Sequence, residues 1–453
     1  MELQAVVMAG GRGSHMLDLT QGLRPKPFVL VGNKPLIWYT INMLEGAGFS
    51  EAIIITLNCV KTHMELVLKE FNMITKVIGI SEESDLDTVD SLCLIKDLIK
   101  SDVVVLSCDL ITDLPFHRLA DVHRLHDSSV TMLLCPAKAD IENIPGVKQK
   151  KKGQQKQREF IGLCPTERLN QRILFLLNEA DLEDDLLPVN QSLMREFPKF
   201  QVRTDLHDTH VYLFKKWMIN YLTHNKMRSS LRSEVLPYVV QKQFAKSNRF
   251  QNGTGEGETN IKMDVNDIFS YVDEDSEKDF IYDLTLAPHE RKVNSKSITC
   301  YAYIYEEGLC MNVNNISLYM EANRVVSKPD STFLNIQTRV HPSSRVDEKS
   351  QVGADCLVGE RTEIAERTSV KRTIVGRNCT IGSGVRLSNC VIMDRVHIDN
   401  GSNLNGCILC DDVVIGEKCD LKDCFVGDQK KLTAMTRLSK ESLVESQAMM
   451  EFE

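Results

Sequence analysis

Ile381-Gly-Ser-Gly-Val-Arg-Leu387-Ser-Asn-Cys-Val-Ile392-Met-Asp-Arg-Val-His-Ile398-Asp-Asn-Gly-Ser-Asn-Leu404 carries an aliphatic residue at almost every sixth position. Upstream, Val340, Val346, Val352, Val358, Ile364 and Val370 fall at strict six-residue intervals. The count then resets by one. Val375, Ile381 and Leu387 recur seventeen residues later as Ile392, Ile398 and Leu404, then as Leu409, Ile415 and Leu421, with Val426 opening another turn. This is the signature of a hexapeptide solenoid, a parallel β-helix of triangular coils. Each short face points one aliphatic residue inward, and Gly, Asn, Asp or Ser turns the corners. A period of seventeen implies one corner shortened by a residue. A sandwich of strands would show period two with turn signals every 8–12 residues instead.

Outward from the solenoid, the N-terminal half alternates β-branched runs with helix-period segments. The predicted strands are Leu3 to Met8, Ala52 to Thr56, Lys76 to Ile80, Asp102 to Ser107 and Ser129 to Leu134. Such alternation predicts βαβ units and a mostly parallel sheet covered by helices, with a ligand crevice at the carboxyl ends of the strands. The first such end is Ala9 to Gly13.

The 453 residues, 42% hydrophobic and 26% charged, are enough for more than one core. No apolar run nears the roughly 20 residues of a membrane span, and no signal peptide opens the chain, so a soluble cytosolic protein is expected. The 14 cysteines are scattered through apolar segments and read as reduced core thiols. Cys407 and Cys410 could form half of a zinc site, but no second pair at ligand spacing accompanies them, and no metal is expected.

Of the net charge of −9, the stretch from Glu256 to Asp283 holds ten acidic residues against Lys262 and Lys278, a contribution of −8. The remainder is nearly neutral, which gives no reason to expect direct nucleic-acid binding despite the basic run from Lys148 to Arg158. Residues 246–297 are acidic and aperiodic and are expected to form a disordered insertion dispensable for folding.

Ala9-Gly-Gly-Arg-Gly13 follows the first predicted strand, where Gly10, Gly11 and Gly13 would let backbone N–H groups approach phosphate oxygens; a tight βα turn would need the same residues. Twelve residues on comes Pro25-Lys-Pro27, then Val31-Gly-Asn-Lys-Pro-Leu-Ile37 entering a helix, and later Val103-Val-Val-Leu-Ser-Cys-Asp109. Together these motifs resemble the sugar-1-phosphate nucleotidyltransferase family. The resemblance implies a Rossmann-like α/β domain followed by a left-handed parallel β-helix. It also implies that Lys26 faces phosphates and that Asp109 matches a carboxylate that holds magnesium in the family. That reaction transfers a nucleotidyl group to a sugar phosphate, and it needs cations on the leaving pyrophosphate.

Three departures point to a degenerate cleft. His15 stands where the family has an arginine, which removes a bidentate phosphate donor. Asp87 replaces a glycine near the base and phosphates. Asn178 begins Asn-Glu-Ala-Asp181 where relatives carry Glu-Lys-Pro for the sugar phosphate. Losing one such donor costs about 100- to 1,000-fold in rate in other enzymes. No catalytic residue and no cofactor is therefore expected, and Gly10, Gly11, Gly13, Lys26 and Asp109 are candidates for fold support or residual nucleotide binding.

Within this group the chain is most similar to the gamma-subunit family of translation initiation factor 2B. The similarity is carried by residues 103–113, Arg158-Glu-Phe-Ile-Gly162, Arg232-Ser-Glu-Val-Leu-Pro-Tyr238, Glu307-Gly-Leu-Cys310 and Leu318-Tyr-Met-Glu-Ala-Asn-Arg324. The tail from Gly427 to Glu453 is too short for the helical exchange domain of the family's epsilon subunits. The resemblance thus implies a scaffold or regulatory subunit. It would support an epsilon subunit alongside the other 2B subunits and reach initiation factor 2 through the complex. The implied domains are 1–245 and 298–335 (nucleotidyltransferase-like, with connector), 246–297 (insertion), 336–427 (β-helix) and 428–453 (tail). The competing expectations are an active mannose-1-phosphate guanylyltransferase-like enzyme and an acyltransferase using His341 or His397 at a solenoid edge.

Overall fold

The computed structural model describes residues 3–11, 13, 16–20, 24–81, 86–137, 158–165, 170–182, 187, 189, 191–225, 228–244, 268–272, 298–329 and 339–444. His15 and the basic residues from Lys148 to Lys156 lie outside the described residues.

The N-terminal part is built on a ten-stranded sheet. In chain order its strands are β1 (Gln4–Ala9), β2 (Glu51–Leu57), β3 (Ile74–Ile80), β4 (Val103–Ser107) and β5 (Val130–Pro136), then β6 (Glu159–Pro165), β7 (Asn170–Asn178), β8 (Gln201–Arg203), β9 (Leu206–Phe214) and β10 (Cys300–Ile304). Their spatial order is β8-β6-β7-β10-β5-β9-β4-β1-β2-β3. The five strands expected from the sequence are all present within two residues of their predicted ends. β1 to β4 run parallel, as the βαβ alternation requires. Beyond β5 the expectation of a mostly parallel sheet is corrected. β9 enters antiparallel between β4 and β5, and β6, β7 and β8 pair antiparallel. Only four residues connect β6 to β7, too few for a crossover connection, so β7 returns antiparallel to β6.

Period-two alternation assigns the two faces of the sheet. Val6, Ile53, Ile55, Val103 and Val105 pack with Leu92, Trp217, Val239 and Tyr221 on one side. Val7, Ile54, Val104 and Leu106 pack with Ile37, Ile41, Met64 and Leu119 on the other. The first of these cores corrects the expected insertion. Ile268–Val272 is a helical turn whose Ile268 and Tyr271 are buried there, with Tyr271 edge-on to Tyr221 at 5.6 Å. Ile-Phe-Ser-Tyr-Val is an apolar island that averaging over an acidic window conceals.

The solenoid comprises three parallel sheets of six short strands each. The first coil pairs at a spacing of eighteen, Val346 on Ile364 and Val352 on Val370, and later coils pair at seventeen. The missing residue is taken from the corner between Lys371 and Ile374. Corners are turned by residues in the left-handed region, stacked coil on coil: Arg361, Asn378, Arg395, Asp412 and Gln429 form one file, and Arg372, Asn389, Gly406, Asp423 and Lys440 another. At Gly376 a Cβ would lie 2.6 Å from the Met393 carbonyl oxygen, so the coil above leaves room for glycine alone. Ile364, Ile381, Ile398, Ile415 and Leu432 stack in register as one inward file.

The expected end at 427 is corrected, because Leu432, Leu438 and Leu443 continue the seventeen-residue files and Val426 pairs with Leu443. The coil formed by 428–444 therefore belongs to the solenoid.

The solenoid is also buried on one outer face. Leu357, Ile374, Val391, Ile408 and Phe425 precede the inward residues and point the other way, onto Tyr39, Met311, Tyr319, Met320 and Val326 of the sheet domain. On the other two faces the equivalent positions are polar apart from the half-buried Val414, for example Glu363, Thr380 and His397, or Ser369, Arg386 and Asn403. Burying each such aliphatic side chain is worth on the order of 1.5–3 kcal/mol, so this one face fastens the two domains together. Among the described residues no helix is long and apolar enough to cross a membrane.

Candidate functional site: a cleft with internally paired charges

β1 ends at Ala9, and the chain turns through Gly10, Gly11 and Gly13. Gly13 has φ +72°, and its carbonyl accepts from the Met16 N–H at 2.8 Å. Lys26 follows in a single helical turn, Lys26–Phe28, set between Pro25 and Pro27. The two proline rings fix φ on either side of it, so the direction of the lysine stem is largely predetermined.

Asp109 lies in the turn after β4, where its backbone carbonyl accepts from Val313 N–H at 2.9 Å. The Lys26 ammonium sits 2.6 Å from Asp109 Oδ2. Asp109 is 1% exposed. Burial pushes its carboxyl up, but the Lys26 charge, helped by His210, more than offsets this and holds it below the usual carboxylate range. Burial likewise opposes the Lys26 charge, and Asp109 restores it, leaving the ammonium above the usual lysine range. The Asn312 amide packs over the other carboxylate oxygen at 3.4 Å and donates to the Thr209 carbonyl at 2.7 Å.

A second cluster adjoins the first through His210, which stands at a bulge in β9 with φ +56°. Arg232 Nη1 lies 3.1 Å from His210 Nε2, and the same guanidinium pairs with Glu159 and approaches Asp208 at 3.7 Å. Asp208 accepts from the Tyr212 hydroxyl at 2.5 Å and from the His210 N–H at 2.9 Å. Burial opposes the Arg232 charge, yet Asp208 and Glu159 hold it above the usual range. Two of the segments quoted for the gamma-type resemblance, 158–162 and 232–238, thus meet in one ion pair. Two others, 103–113 and 307–310, meet where Asp113 Oδ1 accepts from Leu309 N–H at 2.8 Å.

Asp87 caps the helix Thr88–Leu94, its carboxylate accepting from Thr88 N–H at 2.7 Å. A glycine there would lack this cap, so the departure has a local structural use. Asn178 closes β7 opposite Glu159, and its Oδ1 is buried without a hydrogen-bond partner among the described residues.

The magnesium that the nucleotidyltransferase resemblance implies does not fit these residues. The carboxylate that would hold it is closed off from solvent and bound to an ammonium, and among the described residues Asp109 belongs to no group of three His, Cys, Asp or Glu side chains that could hold a metal ion. Cys407 and Cys410 do not converge either. The first faces the solenoid interior and the second faces the sheet domain. His341 and His397 are half-exposed, resting on Ser343 and Asp399, and share no site.

Sequence reasoning missed Arg24, which reaches from the Pro-Lys-Pro turn to Asp394 and Asp411 of the solenoid, both at 2.6 Å. Its partners lie 370 and 387 residues away, beyond any local pattern. The outward file Leu357 to Phe425 was also missed, although its own seventeen-residue spacing was legible.

A mixed sheet with a glycine-rich first turn, joined to a left-handed β-helix, defines a nucleotidyltransferase-type chain. The Nucleotidyl transferase family model matches residues 4–154, and the model for the EIF2B subunit epsilon LbH domain matches 338–438. A Candida albicans mannose-1-phosphate guanyltransferase is 33% identical over 139 residues, which cover 29% of this chain and 37% of the relative. More of the chain is matched by translation initiation factor eIF2B subunit gamma. The Dictyostelium discoideum protein is 29% identical over 84% of this chain and 88% of its own length; the Schizosaccharomyces pombe protein is 31% identical over 79% and 71%. The chain belongs to the family of eIF2B gamma subunits.

Proposed function

We propose that this chain is a non-catalytic, regulatory subunit of the 2B complex, supporting an epsilon subunit in the exchange of GDP for GTP on initiation factor 2 in the cytosol. The observation that carries this reading is the buried Lys26–Asp109 pair. The lysine that would draw out pyrophosphate and the carboxylate that would hold a metal neutralise each other at 2.6 Å. A nucleotidyl transfer needs both groups directed at developing charge on the phosphates, and re-aiming them would first cost the separation of a desolvated pair. Arg232, the next cation along the cleft, is likewise held by Glu159 and Asp208. What the chain offers a partner is surface, namely the sheet domain and the two polar faces of the solenoid.

The test loads initiation factor 2 with labelled GDP and follows its release with this chain alone, with an epsilon-type partner alone, and with both. The expected result is co-elution of the two chains and faster release with both than with the partner alone. Full-rate release by this chain alone, or failure to co-elute, overturns the reading.

A further inference from the structure

The Pro-Lys-Pro turn and the arginine before it make charged contacts with both domains. Lys26 reaches the cleft floor at Asp109. Arg24, two residues earlier, reaches the solenoid: its Nε and Nη2 meet Asp411 Oδ2 and Oδ1 at 2.6 and 3.0 Å, and Nη2 also meets Asp394 Oδ2 at 2.6 Å. Those carboxylates are themselves fixed. Arg377 N–H donates to Asp394 Oδ1 at 2.7 Å, Asp394 N–H to Asp411 Oδ1 at 3.0 Å, and Asp411 N–H to Asp428 Oδ1 at 3.0 Å. Three successive coils thereby present a ladder of aspartates along one corner. Only Pro25 separates the two cations, and the turn that carries Lys26 is closed by Phe28 N–H to the Pro25 carbonyl at 2.9 Å and Val29 N–H to the Lys26 carbonyl at 3.2 Å.

We propose that this turn, the phosphate-facing element implied by the nucleotidyltransferase resemblance, is here an interdomain clamp: Lys26 anchors it on the cleft floor and Arg24 holds the aspartate ladder, so the solenoid is oriented from the cleft. The poor fit of Asp109 to a metal follows from the same arrangement, because the carboxylate serves as the anchor point. The apolar face from Leu357 to Phe425 supplies adhesion without direction, whereas a guanidinium bridging two carboxylates fixes angle and register. Arg24 and Lys26 are on this account positioning residues, and neither touches a substrate.

The test is amide hydrogen exchange in the full chain, read at Arg377, Asp394 and Asp411, whose N–H groups form the ladder. Lys26→Met should raise exchange at these solenoid amides by about tenfold, the scale of a local opening made 1.4 kcal/mol easier, and Lys26→Arg should restore protection. Arg24→Met should give the same rise, and the double variant no more than either single change, because both break one chain of contacts. A double variant whose effects multiply, or a Lys26→Met effect confined to residues 103–113, overturns the clamp. Should Lys26→Met fail to fold, Asp109→Asn keeps the shape of the anchor while removing its charge. It must loosen the same three amides, and unchanged protection there overturns the proposal equally.

Discussion

The solenoid and the cleft specify their structures in opposite ways. In the solenoid each side chain meets its counterpart eighteen residues on in the first coil and seventeen in the later ones, so repetition along the sequence is repetition in space. In the cleft, Lys26 finds Asp109 across 83 residues and Arg232 finds Glu159 across 73. One region tells the reader where its residues are, and the other conceals it. A motif in the solenoid can thus be read as geometry, whereas a motif in the cleft can keep its letters while its charges are turned to a different use.

The largest effect is expected from disturbing the inward file. Ile398 is fully buried between Ile381 and Ile415, so Ile398→Asp places a carboxylate where no partner exists. It should cost more than about 5 kcal/mol and unfold the solenoid, as read by thermal melting. A soluble variant of near-native melting temperature would show the register to be wrong.

Next in size is the cleft pair. Lys26→Met leaves Asp109 buried and unpaired and should cost about 3–5 kcal/mol in denaturant unfolding, whereas Lys26→Met with Asp109→Leu should recover most of the loss. Equal losses in the single and double variants would mean that the pair is incidental.

The outward file is tested by Ile408→Ala, expected to cost about 2–5 kcal/mol although Ile408 lies outside the solenoid interior. Because its neighbours belong to the sheet domain, the loss should reduce the cooperativity between the two domains in calorimetry. A loss confined to solenoid melting would place the residue in the wrong core.

A smaller effect follows from His123, buried under β5 with Nδ1 2.9 Å from Thr131 Oγ1. Burial, then the Lys215 charge, lowers its pKa from 6.5 to about 4. A histidine depressed in the folded state contributes stability that is complete above about 6.5 and lost as pH falls toward 4. The loss should be on the order of 3 kcal/mol, and His123→Gln should flatten that limb of the stability curve. An unchanged limb would assign the acid sensitivity to other groups. At the bottom of the scale, Asp399→Ala, one residue from Ile398 but paired at the surface with His397, should change stability by no more than about 0.5 kcal/mol.

These contrasts indicate how much the sequence discloses. The inward files, the shortened corner and the five N-terminal strands were legible because periods of six, seventeen and two are local. The last coil is less legible because polar residues separate Val426 from Leu432, Leu438 and Leu443, which continue the files. Ile268–Val272 was hidden by acidic neighbours, since composition averages over a window and burial does not. Gly13, Lys26 and Asp109 were identifiable as a set, but not the fact that Lys26 and Asp109 bind each other. Nothing near residue 24 announces aspartates almost 400 residues away.

If the retained motif residues neutralise one another and leave no working enzyme, nucleotidyl transfer itself should be absent. Purified chain would be given magnesium, GTP or ATP and a hexose 1-phosphate, and pyrophosphate release compared with a Lys26→Ala/Asp109→Ala variant. Release no greater than in that control is expected. Turnover that disappears in the double variant would contradict it and make the chain a sugar-nucleotide enzyme.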